Sequence, residues 1–187
     1  MKKIILLFFC VFTVNFCFAQ LWGSRTFNGR TVGAAQDNWC VFACIEMKTQ
    51  KTSEQCVAAT MYARMYNQTT VNCCNDLDRG FRAYCLPGVS FLRLPHFLNE
   101  YHHATGCPVN NIYQEFVHGN TEMLSYKFPC YGLIRSFHHC VIVTGIEATF
   151  SGKDKVWKVY IIDPGKGGNP ETKTYYNFDE SIGLYFI

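Results

Sequence analysis

Charge of one sign is what this sequence has least of. Its 187 residues carry 17 Lys and Arg against 14 Asp and Glu, so no basic stripe is available to track a phosphate backbone, and nucleic acid is excluded as a first-choice partner. Proline is scarce, at 6 residues. No Pro-, Gly- or Ser-rich linker divides the chain, which excludes a string of modules and leaves one domain. No segment recurs at a fixed period, which excludes a solenoid. Beyond residue 20 no apolar run approaches the length of a bilayer, so no membrane partner is expected once the N-terminal segment is removed. Paired Cys-x-x-Cys spacing is also missing. The cysteine group at 56, 73, 74 and 85 has no nearby histidine, so neither a metal nor any other cofactor is expected. What is abundant is apolar surface. With 49% hydrophobic, 16% aromatic and 17% charged residues, the chain can bury enough to offset the entropy of ordering, and it is expected to fold around a core.

Met1-Lys2-Lys3 precedes an apolar run over 4–18 and then Ala19-Gln20. A charged start, a short apolar stretch and small residues at 17 and 19 are the marks of a cleavable export signal covering 1–19, with 20–187 as the mature domain. A lipidated Cys17 is the competing reading, but Asn15-Phe16 lacks the small residues such a signal uses. The expected location is secreted or periplasmic. Without Lys2 and Lys3, 15 basic side chains face 14 acidic ones, and no electrostatic partner is implied.

Nine cysteines remain in the mature chain: 40, 44, 56, 73, 74, 85, 107, 130 and 140. An odd number in an exported protein leaves at least one thiol reactive or paired between chains. Cys56, Cys73, Cys74 and Cys85 form the group best placed for bridges, because a loop held between helices gains most from a constrained unfolded ensemble. Their connectivity is open.

Apolar spacing predicts a helix over 39–51 with Cys40, Ala43, Cys44 and Met47 on one face. A second is expected to about 66, introduced by Thr52 and Gln55 at capping-box spacing. Residues 67–88 read as a loop. A third helix is expected over 95–102, opened by Pro95 in its first turn, and a short fourth over 111–117. From 130 the pattern changes to β-branched and aromatic runs at 130–136, 139–146, 156–162 and 183–187, separated by turn signals. Helices followed by strands give an α+β fold, N-terminal helices packed on a C-terminal antiparallel sheet, with a groove between two lobes where chemistry is usually sited.

Cys40 opens the first helix, where free backbone N–H groups and the helix dipole favour an anion; it is the candidate nucleophile. Cys44, one turn on, reads as buried filler or half of a bridge. The base candidates are His138 and His139, heading the apolar run 141–145. A hairpin centred near residue 151 sets His139 opposite Asp163, close enough for a carboxylate to orient an imidazole. A one-residue slip would bring His138 instead. Gln36 offers a side-chain amide which, with the Cys40 N–H, could stabilise an oxyanion; it could equally be a solvated loop residue. His96, His102, His103 and His118 read as surface or capping residues, and Tyr62, Tyr66, Phe97, Tyr101, Tyr113 and Phe116 as core.

Taken together, Gln36-Asp-Asn-Trp-Cys40-Val-Phe-Ala-Cys44, Glu54-Gln-Cys56-Val-Ala, Cys73-Cys74, His139-Cys-Val-Ile-Val-Thr-Gly145 and Ile162-Asp163-Pro164 resemble short bacterial papain-like cysteine peptidases. The group most alike is the secreted plant-pathogen effector proteases and double-glycine-type peptidases, and the likeness covers roughly 30–165. The resemblance implies a papain-like two-lobed fold, a peptide or protein substrate, Cys40 as nucleophile, His139 as base and Asp163 as its orienter. Two other expectations stay open: an acyl or amide transferase using the same residues, and an exported, disulfide-stabilised binding module without chemistry.

Overall fold

The computed structural model describes residues 20–75, 77–104, 128–151, 154–175 and 182–185. The expected export signal, the helix over 111–117, Cys107, Tyr113, Phe116 and His118 lie outside them. The described residues are α+β: one short strand, then the helices, then the other five strands of the sheet. Among them no helix is long and apolar enough to cross a membrane.

Helix α1 (Cys40–Thr49) is buried on all sides: Val41 through Met47 are covered without interruption, Glu46 among them. The single apolar face expected from sequence is therefore too narrow a description, because a helix apolar all round belongs inside a core. It lies between α2 (Glu54–Asn67) and the central strand of the sheet. Glu46 is tolerated there because Arg30 meets it at 2.7 Å and the Gln55 N–H donates to it at 3.3 Å.

The expected capping box does not form. Ser53, at φ 61°, takes the cap position without a side-chain hydrogen bond, and the Gln55 amide serves another purpose described below. Helix α3 (Leu94–Ala104) carries Pro95 in its first turn as anticipated, and buries Leu94, Phe97, Leu98, Tyr101 and His102 at the i, i+3 and i+4 spacing of a core-facing stripe. The loop over 67–88 contains one π turn, Phe81–Cys85, whose single wide turn is too short to leave a periodic signature.

Two disulfides secure this half. Cys56 of α2 joins Cys74, and Cys73 joins Cys85 of the π turn. The bridging group is thus the one anticipated, and the pairing fits an oxidising compartment. Cys73 and Cys85 are 12 residues apart, and closing a loop of that size is worth about 3 kcal/mol. A Cys73→Ser, Cys85→Ser variant is therefore expected to lose about 2–4 kcal/mol, read as a lower urea midpoint with a steeper slope, because the uncrosslinked unfolded chain exposes more surface.

Strands β1 (Gln20–Gly23), β2 (Cys130–Ile134), β3 (His139–Ser151), β4 (Asp154–Asp163), β5 (Asn169–Tyr175) and β6 (Ile182–Tyr185) form one antiparallel sheet ordered β5-β4-β3-β2-β6, with β1 also pairing along β3. Neither β1 nor β5 was legible as a strand. β5 is a polar edge, Asn169-Pro-Glu-Thr-Lys-Thr-Tyr175, and such edges are kept free of apolar runs and tolerate proline.

Both faces of the sheet are apolar. Cys140, Ile142, Tyr131 and Leu133 join the helical core, while Val141, Val143, Val159 and Ile161 build a second cluster with Trp22 and Cys130. The hairpin register runs from Ser151↔Asp154 to Gly145↔Tyr160, shifts at Thr144, and resumes as Val143↔Ile161 and Ile142↔Ile162. Thr144 is the extra residue of a bulge. Because it absorbs one position, Ile146 and Ala148 rejoin the face of Val141 and Val143. The direct His139–Asp163 pairing expected from a turn centred near 151 is thus misplaced by two residues: Asp163 stands level with Val141. An even shift keeps the face, so the two side chains still meet.

The bulge is pinned from β1. Ser24 donates its N–H to the Thr144 carbonyl at 2.8 Å, and a Cβ on Gly145 would lie 2.6 Å from the Ser24 carbonyl oxygen. Gly145→Val is expected to cost about 1–3 kcal/mol by overpacking, measured by thermal denaturation.

Candidate active site

Cys40 is the first residue of α1 and is half-buried. No side chain caps this end, so first-turn N–H groups are free to face an anion at the sulfur. The helix start is held by the residue before it. Trp39, buried, donates its indole N–H to the Cys85 carbonyl at 2.7 Å and its backbone N–H to Gln36 at 3.0 Å. Asn38 donates its side-chain amide to the Leu86 carbonyl at 3.2 Å. Gly88, at φ 69°, lies so close beneath Asn38 that a Cβ would meet its carbonyl oxygen at 2.3 Å. The nucleophile candidate is therefore seated on the Cys73–Cys85 loop.

His139 begins β3 immediately after His138, whose φ of 48° turns the chain out of a short 3-10 segment, Arg135–Phe137. Its Nε2 lies 2.6 Å from Asp163 Oδ1, and the Cys40 side chain is the neighbour that most raises the proton affinity of its ring. An ionised carboxylate only accepts, so Nε2 carries the proton in that contact and Nδ1 is the nitrogen left to exchange one with the thiol. Asp163 ends β4, is buried, and receives a second hydrogen bond on the same oxygen from the Gly165 N–H at 2.8 Å. Cys40 is the largest influence on the imidazole. Desolvation opposes it, Asp163 adds to it, and the net result is a ring pushed up to about 9. An imidazolium at neutral pH is the expected form.

Gln36 precedes the helix on a loop fastened at both ends. Gln55, buried, accepts from the Ala35 N–H at 2.9 Å and donates to the Gly33 carbonyl at 3.0 Å. Ala34 donates to the Pro164 carbonyl at 3.0 Å, tying this loop to the turn that follows Asp163. Gln36 itself is half-buried, with its backbone carbonyl engaged by Trp39. The sequence reading missed Trp39, Gln55 and Gly165 as positioning residues. The Asp-Pro-Gly run did carry a signal for the last, since an Asp that accepts from the N–H two residues on is ordinary turn chemistry.

The other thiols differ in kind. Cys44 and Cys140 are fully buried in contact with each other, and burial drives the Cys44 thiol well up; Cys130 is buried and raised for the same reason. Inert packing is the role such environments give a cysteine. His102 corrects an expectation. Far from being surface or capping, it is buried in α3, 2.8 Å from the Tyr131 hydroxyl, and pushed down to about 4 by desolvation and by Lys48 and Lys51. A neutral ring serves core packing there. Tyr62, Phe97 and Tyr101 are core residues as expected.

A sulfur at a helix start, an imidazole beside it, and a buried carboxylate held to that imidazole form a relay able to deliver a thiolate and to store its proton. Comparison with family models, with curated proteins and with solved structures returned no match. The chemistry of this site rests on its own geometry.

Proposed function

We propose that this protein is an exported cysteine peptidase of papain-like arrangement, in which a helical lobe supplies Cys40 and a sheet lobe supplies His139 and Asp163. One observation carries the reading: His139 Nε2 is held 2.6 Å from buried Asp163 while the Cys40 side chain is the neighbour that most raises the proton affinity of the same ring. The Cys40 thiolate attacks a peptide carbonyl, and the Cys40 N–H with the Gln36 side-chain amide receives the developing oxyanion. His139 then passes its Nδ1 proton to the leaving amine, and water activated by the same nitrogen hydrolyses the thioester. Asp163 keeps the ring in the tautomer that permits both transfers. Export through the 1–19 segment agrees with the two disulfides, since a reducing compartment would open them.

Incubating the mature chain with a mixture of unstructured peptides and sequencing the products tests this reading. New termini are expected with wild type and not with Cys40→Ala. Adding a primary amine separates hydrolysis from transfer: a free carboxylate at each new C-terminus means hydrolysis, and an amide there means acyl transfer. Wild type that makes no more new termini than Cys40→Ala would sink the peptidase assignment.

A further inference from the structure

A cavity of about 440 Å³ opens beside the base, lined by His139, Asp163, Ile134, Phe137, Lys166 and Lys173. Two features of it are unexplained by the relay alone. Phe137 stands 81% exposed and lines the cavity two residues before His139, so its ring is available as an apolar wall. The two ammonium groups share a single carboxylate: Lys166 lies 2.5 Å and Lys173 3.1 Å from Glu171. Asp163 also lines the cavity, paired with the His139 imidazolium, so three cations face two carboxylates, an excess of one positive charge, and each ammonium retains donors that Glu171 does not use.

Position gives the cavity its meaning, on the reading that His139 protonates the leaving amine. Groups attached to that amine must pass the imidazole, so a pocket walled by the imidazole takes the part of the substrate that follows the cut bond. We propose that this cavity is a leaving-side subsite for an apolar residue next to a carboxylate, the apolar side chain resting against Phe137 and Ile134 and the carboxylate meeting Lys166 and Lys173. The carboxylate has two sources, an acidic side chain or the free C-terminus of a short leaving peptide. Substrates would then be cut before an apolar residue followed closely by negative charge.

Binding can be read without turnover. The Cys40→Ala protein is titrated by NMR with short peptides that begin Phe-Asp, Phe-Lys or Phe-Ala, each as free acid and as C-terminal amide. Exposed ion pairs are individually weak, so an acidic peptide is expected to bind about fivefold tighter than its lysine counterpart. The difference should shrink in high salt, and shifts should centre on Phe137 and Lys173. If the free-acid and amide forms of Phe-Ala differ as much as Phe-Asp and Phe-Lys amides do, the chain terminus is the source; if only the side-chain pair differs, the acidic residue is. Lys166→Glu with Lys173→Glu, made in the Cys40→Ala protein, is expected to reverse the preference. Equal binding of acidic and basic peptides, or a preference that survives the charge reversal, overturns the proposal. Absent cleavage with this preference intact would fault the peptidase reading and leave the subsite standing.

Discussion

Cys40→Ser is expected to lower kcat/KM for peptide cleavage by about a thousandfold or more, the scale on which nucleophile replacements act. A serine hydroxyl in the same place is not ionised near neutrality, and the imidazole beside it would lose the sulfur that most raises its proton affinity. Cys44 cannot substitute, because it is fully enclosed one turn deeper and its thiol is held protonated by burial. Since the swap is nearly isosteric, the fold should be retained, read as an unchanged far-UV circular dichroism spectrum. A folded variant that keeps a tenth of the activity would remove Cys40 from the chemistry.

The second large effect belongs to Asp163. Replacing it with asparagine is expected to cost about a hundredfold to ten-thousandfold in kcat/KM, because an amide can present N–H to Nε2 and stabilise the wrong tautomer. The pH profile separates this from a folding defect. His139 is raised from its ordinary value to about 9, so imidazolium persists through neutral pH and activity should fall as pH rises through about 9. Asp163 is one cause of that elevation, behind Cys40. In Asp163→Asn the alkaline limb should therefore move to lower pH without collapsing to the value of a free histidine. The same sign holds for stability. A ring with raised proton affinity in the folded state stabilises it fully below its ordinary value near 6.5, and that contribution is lost as pH climbs through about 9. An alkaline limb that stays fixed when Asp163 is changed would mean that another group sets it.

Much of this arrangement was legible in the sequence because its parts are short-range. A cysteine at a helix start, a histidine at the head of an apolar strand and an aspartate before Pro-Gly each announce themselves within a few residues. The disulfide-bearing group was legible too, although its pairing was not, since connectivity depends on how α2 and the π turn meet. What escaped notice was mostly long-range or compensatory. The bulge at Thr144 leaves only a Thr-Gly pair in sequence, and without it a straight count from the observed turn, Ser151↔Asp154, would put Asp163 opposite Ile142 and on the other face from His139. Gln55 looked like a local cap because its spacing from Thr52 allows one, yet its amide reaches 22 residues back to Gly33. His102 could not be told from a surface histidine, because its partner Tyr131 lies 29 residues away. Edge strand β5 was invisible since polar edges avoid the alternation that identifies a strand.

The most direct measurement is the rate of alkylation by iodoacetamide at each cysteine of the native mature chain, mapped by mass spectrometry from pH 4 to 10. Cys40 should react fastest by at least about tenfold over Cys44, Cys130 and Cys140, because it alone of the four is not buried and an imidazole stands beside it. It should do so already near neutrality, and it should lose that advantage in His139→Ala. Reaction at Cys40 no faster than at the buried thiols, or a Cys40 rate indifferent to the loss of His139, would contradict a working sulfur–imidazole pair.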